Sequence, residues 1–163
     1  METYTTFSKD EFEAFLADAR EGPIQMLNLI RLREVTEGEG GVRRTGREAY
    51  AEYSRISAPV FAGLGGRIVW RGRFEFGLIA PPHERWDICF IAEYPSVAAF
   101  ASMLRDPTYR AAMKHRQMAV LDSRLIRLEP QEAGATFGGE APGDEQPRKG
   151  IVSDLAASPG PES

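Results

Sequence analysis

The sequence predicts an α+β domain in which helices cover one face of a four-stranded antiparallel sheet. Two observations favour this class. Segments in which apolar and polar residues alternate, as in strands, are separated by segments whose apolar residues recur at helical spacing. In addition, Ser8 with Glu11 and Thr45 with Glu48 have the spacing of a capping box, which marks where a helix begins.

The first predicted helix begins after Ser8 and ends at Gly22. It is expected to bury one apolar face, which consists of Phe12, Phe15, Leu16 and Ala19. The first strand then covers residues 24–33 and is apolar on both faces. Because a strand with two apolar faces is typical of a sheet covered on both sides, something must pack against each face.

Residues 34–44 are Gly-rich and charged and are predicted to form a loop. The second helix begins at Thr45, and Pro59 is expected to break or kink it. Residues 67–79 are predicted to form one strand, and after a polar turn residues 86–94 return as its antiparallel partner. The large apolar residues of the first strand of this hairpin should lie on one face. They are Ile68, Trp70, Phe74 and Phe76.

Two short helices follow, separated by Asp106 and Pro107, with Tyr109 facing inward on the second helix, and residues 122–129 form the last strand. Without the extra N-terminal helix, the order is strand, helix, strand, strand, helix, strand. This is the split βαβ order of ferredoxin-like folds. Its helices can cover only one face of the sheet, so the other apolar face is expected to pack against a second copy of the chain.

Composition divides the chain at residue 130. Residues 1–130 carry 18 basic and 18 acidic side chains and are predicted to form a single domain. Residues 131–163 are rich in Gly and Pro, carry the whole net charge of -4, and are predicted to be a disordered acidic tail.

The neutral body argues against a nucleic-acid partner and against binding to anionic membrane surfaces, because both require a basic face. The segment from Arg71 to Phe76 is similar to an RNA-recognition signature, but it lies on the second strand rather than the third. The chain has no apolar run long enough to span a bilayer and no N-terminal secretion signal. We therefore predict a cytoplasmic protein without nucleic-acid or membrane partners.

The sequence resembles a family of small proteins described as domain of unknown function family 1330, within the dimeric α/β-barrel superfamily. The resemblance covers about residues 24–130. It rests on short motifs, which are Ala49-Tyr50-Ala51-Glu52-Tyr53 with Pro59, Gly65-Gly66-Arg67 with Arg71-Gly72, Tyr94-Pro95-Ser96 with Ala99-Phe100, Asp106-Pro107-Thr108-Tyr109, Arg116, and Asp122-Ser123-Arg124-Leu125-Ile126.

This resemblance implies a homodimer whose two sheets face each other as a dimeric α/β barrel. The resemblance also implies a place in a wider superfamily that includes cofactor-free monooxygenases, haem enzymes, isomerases and decarboxylases. These proteins act in a cavity between sheet and helices. A shared fold does not transfer any one of these activities.

Asn28 stands among apolar residues of a strand, where an amide needs a partner. Either it makes a structural hydrogen bond to a neighbouring backbone group, or it is a donor in a pocket. Apolar pockets with a few polar groups are the usual small-molecule sites. Trp70 and Trp86 are predicted to flank the same sheet face as Asn28, and Tyr50 and Tyr53 come from the covering helix. These four aromatic residues are predicted to line such a pocket, and core packing is the alternative explanation for them.

His115 lies on the second helix of the pair and is the candidate proton acceptor, unless it is simply a solvated surface residue. Asn28 and His115 form the predicted catalytic pair. Arg67, Arg71 and Arg73 are expected either to pair with acidic residues across a dimer interface or to bind a carboxylate ligand.

No metal site is predicted, because the sequence has no cluster of Cys, His or Asp at ligand spacing. The lone Cys89 sits in an apolar run and is expected to be a buried, inert thiol. No cofactor is expected; haem binding stays open as a third hypothesis, and it would need an axial ligand, for which His115 is the only plausible residue. The predicted function is that of a homodimeric small-molecule protein, either a cofactor-free enzyme acting on an apolar or aromatic metabolite or a non-catalytic ligand-binding or regulatory module.

Overall fold

The structure is a computed structural model that describes residues 2–138. Contacts between residues divide the chain after Pro130. The described residues beyond that point, 131–138, contain no helix or strand, and most of the tail predicted for residues 131–163 lies outside the described residues.

Four helices and six strands form the described part of the chain, with a short 3₁₀ turn over Glu39–Gly41. In chain order they are α1 (Lys9–Ala17), β1 (Ile24–Leu32), β2 (Val35–Glu37), β3 (Arg43–Thr45), α2 (Gly46–Gly63), β4 (Arg67–Gly72), β5 (Ile88–Tyr94), α3 (Val97–Arg105), α4 (Pro107–Ala119) and β6 (Val120–Leu128). No helix in residues 2–138 has the length and apolar character that crossing a membrane requires.

The main sheet has the strand order β4-β5-β1-β6, and each neighbouring pair is antiparallel. This order confirms the predicted ferredoxin-like fold. Alternate residues of β1, namely Ile24, Met26 and Ile30, are buried in the core that the helices share with the sheet. The helices therefore cover the sheet face on which the even-numbered residues of β1 lie.

Both predicted capping boxes are present. The Ser8 hydroxyl accepts from the Glu11 N–H at 3.1 Å, and the Thr45 hydroxyl accepts from the Glu48 N–H at 3.0 Å. The first helix is shorter than expected, because it ends at Ala17 and leaves Ala19 exposed. Its apolar face is only partly buried, since it lies over the core formed by α3 and the sheet rather than inside it.

The structure differs from two predictions about the middle of the chain. Pro59 was expected to break or kink the second helix, and it does not break α2, which continues to Gly63. Proline removes one helical N–H donor, and here the carbonyl that loses its partner belongs to Arg55, an exposed residue that water can reach. The predicted loop at residues 34–44 instead contains a hairpin, in which β2 and β3 pair as a two-stranded sheet.

The strand predicted over residues 67–79 ends at Gly72, and it contains a β-bulge at Val69. Ile68 pairs with Ala92, but after the bulge Trp70 pairs with Ile91 and Arg71 pairs with Phe90. Since a bulge inserts one residue, it reverses which side chains face the helices. The prediction that Trp70 shares a sheet face with Asn28 is therefore wrong, because Arg71 occupies that face instead.

Candidate functional site

A cavity of about 1720 Å³ lies in the domain, lined by residues of all four helices, of the main sheet and of the loop between β4 and β5. Ligand cavities typically measure about 300–1,000 Å³, so this space is large. Several of its lining residues, including Ala51, Ser54 and Arg71, are exposed, so the cavity opens to solvent.

Three tyrosines from two helices meet in this cavity. The Tyr53 and Tyr109 hydroxyl oxygens are 2.8 Å apart and share a hydrogen bond. The Tyr50 ring packs against the Tyr53 ring with a centroid distance of 5.3 Å, and the Tyr53 and Tyr109 rings meet edge to face at 6.0 Å. Helical geometry explains the first two positions, since residues three apart lie on the same side of a helix.

These tyrosines are strongly biased toward the neutral form. Burial raises the pKa of Tyr50 and Tyr109 well above the usual range. Burial also raises the pKa of Tyr53, although the hydrogen bond with Tyr109 opposes this effect. Because one O–H of the Tyr53 and Tyr109 pair donates to the other, the second O–H can donate to a ligand. The cluster is therefore a set of hydrogen-bond donors and not a base.

Asn28 fits both of its alternative interpretations. Its amide nitrogen donates to the Met26 carbonyl at 3.0 Å, which is the expected structural hydrogen bond. The residue also lines the cavity, on the sheet face that the helices cover.

The two tryptophans lie elsewhere. Trp70 does not line the cavity, and the bulge turns it to the sheet face opposite to Asn28. Trp86 is buried and lines the outer part of the cavity, where the Arg124 guanidinium lies 5.3 Å from its ring. Arg124 pairs with Leu29, so it lies on the face opposite to Asn28, and the prediction that Trp86 flanks the same sheet face as Asn28 is also wrong.

His115 lies in a separate cleft of about 380 Å³ between α4 and the β2–β3 hairpin. The Arg44 guanidinium is 2.6 Å from His115 Nδ1. Because arginine can only donate, Nδ1 must accept, and this places the imidazole proton on Nε2. The structure therefore does not bring Asn28 and His115 together in one cavity.

The positions of two cavity residues, Tyr109 and Arg71, add to the predicted site. Tyr109 was expected to face inward, and the same signal that selected Tyr50 and Tyr53, a hydroxyl on an inward aromatic residue, applies to it. Arg71 reaches the cavity face only because of the bulge. No pattern of alternation in the sequence could have shown this.

The described residues offer little support for a metal site or a reactive cysteine. Within residues 2–138, no group of three or more His, Cys, Asp or Glu residues could hold a metal ion. Cys89 is a free and buried cysteine, and burial raises the pKa of its thiol, which disfavours the reactive thiolate.

A charged cluster fastens the N-terminal segment to β6 at the edge of the cavity. Asp122 Oδ1 accepts hydrogen bonds from the Tyr4 N–H at 2.8 Å and from the Arg124 guanidinium at 2.9 Å. The Arg124 guanidinium also lies 4.8 Å from the Tyr4 ring. Burial would raise the pKa of the Asp122 carboxyl, but these hydrogen bonds hold it below the usual range.

Replacing Asp122 with asparagine should flatten the dependence of stability on pH. A lowered pKa in the folded state means that ionised Asp122 stabilises the fold above the ordinary carboxyl pKa of about 4, and that this contribution is lost as the pH falls through the folded-state pKa. At pH 7 we expect the free energy of unfolding of Asp122→Asn to be about 1–3 kcal/mol lower than that of the wild type. This difference between the two proteins should become smaller toward pH 3. Urea unfolding at several pH values measures this.

Asp18→Asn is the control, because Asp18 is an exposed carboxylate whose ion pair with Arg127 spans 3.8 Å. It should change the unfolding free energy by less than about 0.5 kcal/mol at each pH. A gap between wild type and Asp122→Asn that stays constant from pH 7 to pH 3 would show that the carboxylate charge contributes nothing.

Comparison with known proteins places the chain among uncharacterised relatives. A family described as a domain of unknown function (DUF1330) matches residues 40–127. The crystal structure of methylated RPA0582 protein is 57% identical to the chain, covers 81% of it and 98% of its own length, and has a TM-score of 0.78. The structure of RPA0582, a protein of unknown function from Rhodopseudomonas palustris, is 56% identical, with coverages of 80% and 99% and a TM-score of 0.77.

A more distant structure is that of a dimeric protein of unknown function and ferredoxin-like fold from Bacteroides fragilis. It is 18% identical, covers 66% of this chain and 95% of its own, and has a TM-score of 0.42. No curated protein matches the chain.

Proposed function

The chain belongs to the DUF1330 family, whose domain has no assigned function, and we propose that it binds a small apolar or aromatic molecule in the cavity between helices and sheet. The family match confirms the resemblance indicated by the sequence. The observation that carries the proposal is the cluster of neutral tyrosine hydroxyls, with Tyr53 and Tyr109 joined at 2.8 Å, inside a cavity with many apolar lining residues. A few polar groups placed in a mainly apolar cavity are typical of small-molecule sites.

The polar groups define what the ligand must offer. One hydroxyl hydrogen of the Tyr53 and Tyr109 pair remains for an acceptor, so the ligand carries an oxygen acceptor such as a carbonyl. The body of the ligand packs on apolar and aromatic side chains of the sheet and helices. These lining residues include Met26, Phe90, Phe100, Met103 and Met113.

A cofactor-free reaction at the same place is the second candidate function. Neutral hydroxyls aimed at a carbonyl oxygen stabilise the negative charge that develops there during enolisation, as in an isomerase-like or monooxygenase-like reaction. His83 lines the same cavity from the loop between β4 and β5, and its imidazole supplies a proton acceptor. If the wild type converts a bound ligand to a product and His83→Gln abolishes this conversion, the result would favour an enzyme over a non-catalytic binding module.

We further propose that the protein is a homodimer. The sheet face opposite the helices carries apolar side chains, among which Trp70 and Ile126 are exposed in the single chain. The loop between β4 and β5 adds three exposed apolar residues, Phe76, Leu78 and Ile79. Exposed apolar surface on this scale is typical of an interface with another protein.

Narrowing the cavity from α2 should weaken binding. Ser54 is small, exposed and lines the cavity beside Tyr53, so Ser54→Trp places an indole at its opening. The probes are two matched pairs, 3-phenylpropanoate with 3-phenylpropanamide and octanoate with octanamide, measured by isothermal titration calorimetry. We expect at least one probe to bind the wild type saturably and Ser54→Trp to bind it at least tenfold more weakly.

Ala62→Trp is the matched control, because Ala62 is an exposed residue of the same helix that does not line the cavity. It should leave the affinity within a factor of about two. Failure of every probe to bind at millimolar concentration, or equal weakening by both tryptophan variants, would contradict binding in this cavity.

A further inference from the structure

The cavity is positively charged on a chain that is negative as a whole. The chain carries a net charge of -4. In contrast, the cavity is lined by seven arginines and four carboxylates, and two of these arginines, Arg124 and Arg127, pair with Asp122 and Asp18 outside the lining. An excess of positive charge in a partly enclosed space raises the local concentration of anions.

Arg71 is an arginine that the backbone directs onto the sheet face covered by the helices. The β-bulge at Val69 brings Arg71 into register with Phe90, and Phe90 is in turn paired with Asn28 on β1. Paired residues of neighbouring strands lie on the same face of a sheet. Arg71, Phe90 and Asn28 therefore form one row across the cavity floor.

No residue of the described chain neutralises Arg71. Among residues 2–138 its guanidinium takes part in no hydrogen bond or ion pair, whereas the Arg67 guanidinium on the same strand is bound by Glu93 at 2.8 Å. Arg116 of α4 lines the same cavity, and its guanidinium makes one hydrogen bond, to the Thr5 carbonyl at 3.3 Å.

The two guanidinium groups come from β4 and from α4, and both act on the pKa of Tyr50. Burial raises the pKa of Tyr50, while the positive charges of Arg116 and Arg71 oppose this rise. Both charges are therefore within electrostatic reach of one buried hydroxyl. No carboxylate acts on the pKa of Tyr50 to offset them.

We infer that the ligand of this cavity is a monocarboxylate with an apolar body, and that Arg71 binds its carboxylate. This inference rests on the proposed ligand-binding function. A guanidinium group binds a carboxylate through two parallel hydrogen bonds. The unpaired guanidinium of Arg71, at the edge of an apolar cavity, can therefore bind the carboxylate of a ligand. The apolar body of the ligand then lies along Phe90 toward the tyrosines.

A different role for Arg71 is an ion pair with an acidic residue of a second copy. In that case Arg71→Met would weaken dimerisation and leave ligand preference unchanged. Light scattering on the same samples measures the first effect, and calorimetry with the matched probe pairs measures the second.

The test compares each carboxylate with its amide, which has nearly the same shape but no charge. We expect the wild type to bind the carboxylate at least tenfold more tightly, and Arg71→Met to reduce this preference to less than threefold. Arg71→Lys keeps the charge but not the paired donors, so its preference should be intermediate. Arg110→Met is the control, because Arg110 is an exposed arginine of α4 outside the cavity, and it should keep the full preference.

Equal binding of carboxylate and amide by the wild type would overturn the inference while leaving the proposed binding function intact. A preference retained by Arg71→Met would also overturn it. If no probe of either charge binds, the proposed function fails and the inference fails with it.

Discussion

Replacing Gly46 with alanine should destabilise the domain by about 2–4 kcal/mol, a cost at the upper end of the range for overpacking. Gly46 begins α2 and is buried against the peptide of Arg33, where β1 ends. A Cβ atom built at this position clashes with the Arg33 carbonyl oxygen and lies 2.9 Å from its backbone nitrogen. The carbonyl cannot move away freely, since it accepts the Gly46 N–H at 3.1 Å.

The same strain should reach the candidate site, because α2 carries Tyr50 and Tyr53 only one and two turns further along. Gly63→Ala is the matched control, since Gly63 ends the same helix and a Cβ there meets nothing within 4 Å. It should be neutral or stabilising by up to about 1 kcal/mol, because alanine favours a helix over glycine. Urea unfolding measures both variants, and a Gly46→Ala protein within about 0.5 kcal/mol of the wild type would refute the close contact with Arg33.

Introducing charge into the loop between β4 and β5 should convert the proposed homodimer into monomers. Leu78 and Ile79 are 86% and 96% exposed in the single chain, so the monomer gains nothing from their apolar character. Burial of a Leu or Ile side chain contributes about 1.5–3 kcal/mol. By symmetry a dimer that buries both residues buries four side chains, and the double variant Leu78→Asp with Ile79→Asp should raise the dissociation constant at least 10⁴-fold, about 5.5 kcal/mol.

Light scattering after size-exclusion chromatography gives the mass without assuming a shape. We expect twice the chain mass for the wild type and the single-chain mass for the double variant. The monomeric variant should still unfold cooperatively in urea, which shows that its fold is intact. Val42→Asp is the control, because Val42 is an apolar residue with 65% exposure on the β2–β3 hairpin, away from this loop. It should keep the mass of the wild type. A wild type that is monomeric at micromolar concentration, or a double variant that remains dimeric, would contradict an interface at this loop.

The features that could be predicted from the sequence are those that depend on neighbouring residues. The capping boxes at Ser8 and Thr45 use side chains three residues apart, and both form as predicted. The N-cap at Asp106, which accepts from the Thr108 and Tyr109 N–H groups, likewise separates α3 from α4. Together with strand alternation these local signals were enough to order the elements and to identify the ferredoxin-like fold.

The features that could not be predicted depend on pairing between distant segments. The bulge at Val69 exists only in the register of β4 against β5, so alternation alone placed Trp70 on the wrong face. The position of His115 depends on Arg44, which lies in a hairpin that the sequence suggested to be a loop. Helical spacing orients His115 around α4, but it cannot show which neighbour lies beside it.

Binding of a small molecule between helices and sheet can be observed directly at the methionines. The chain has five methionines, of which Met26, Met103 and Met113 line the large cavity and Met118 lines the separate cleft beside His115. With methyl-labelled methionine, titration with a probe that binds by calorimetry should shift the NMR signals of the three cavity methyl groups with one common saturation curve and leave Met118 unchanged. Saturable shifts confined to Met118, or no shift at any of the three cavity methyl groups, would contradict binding in this cavity.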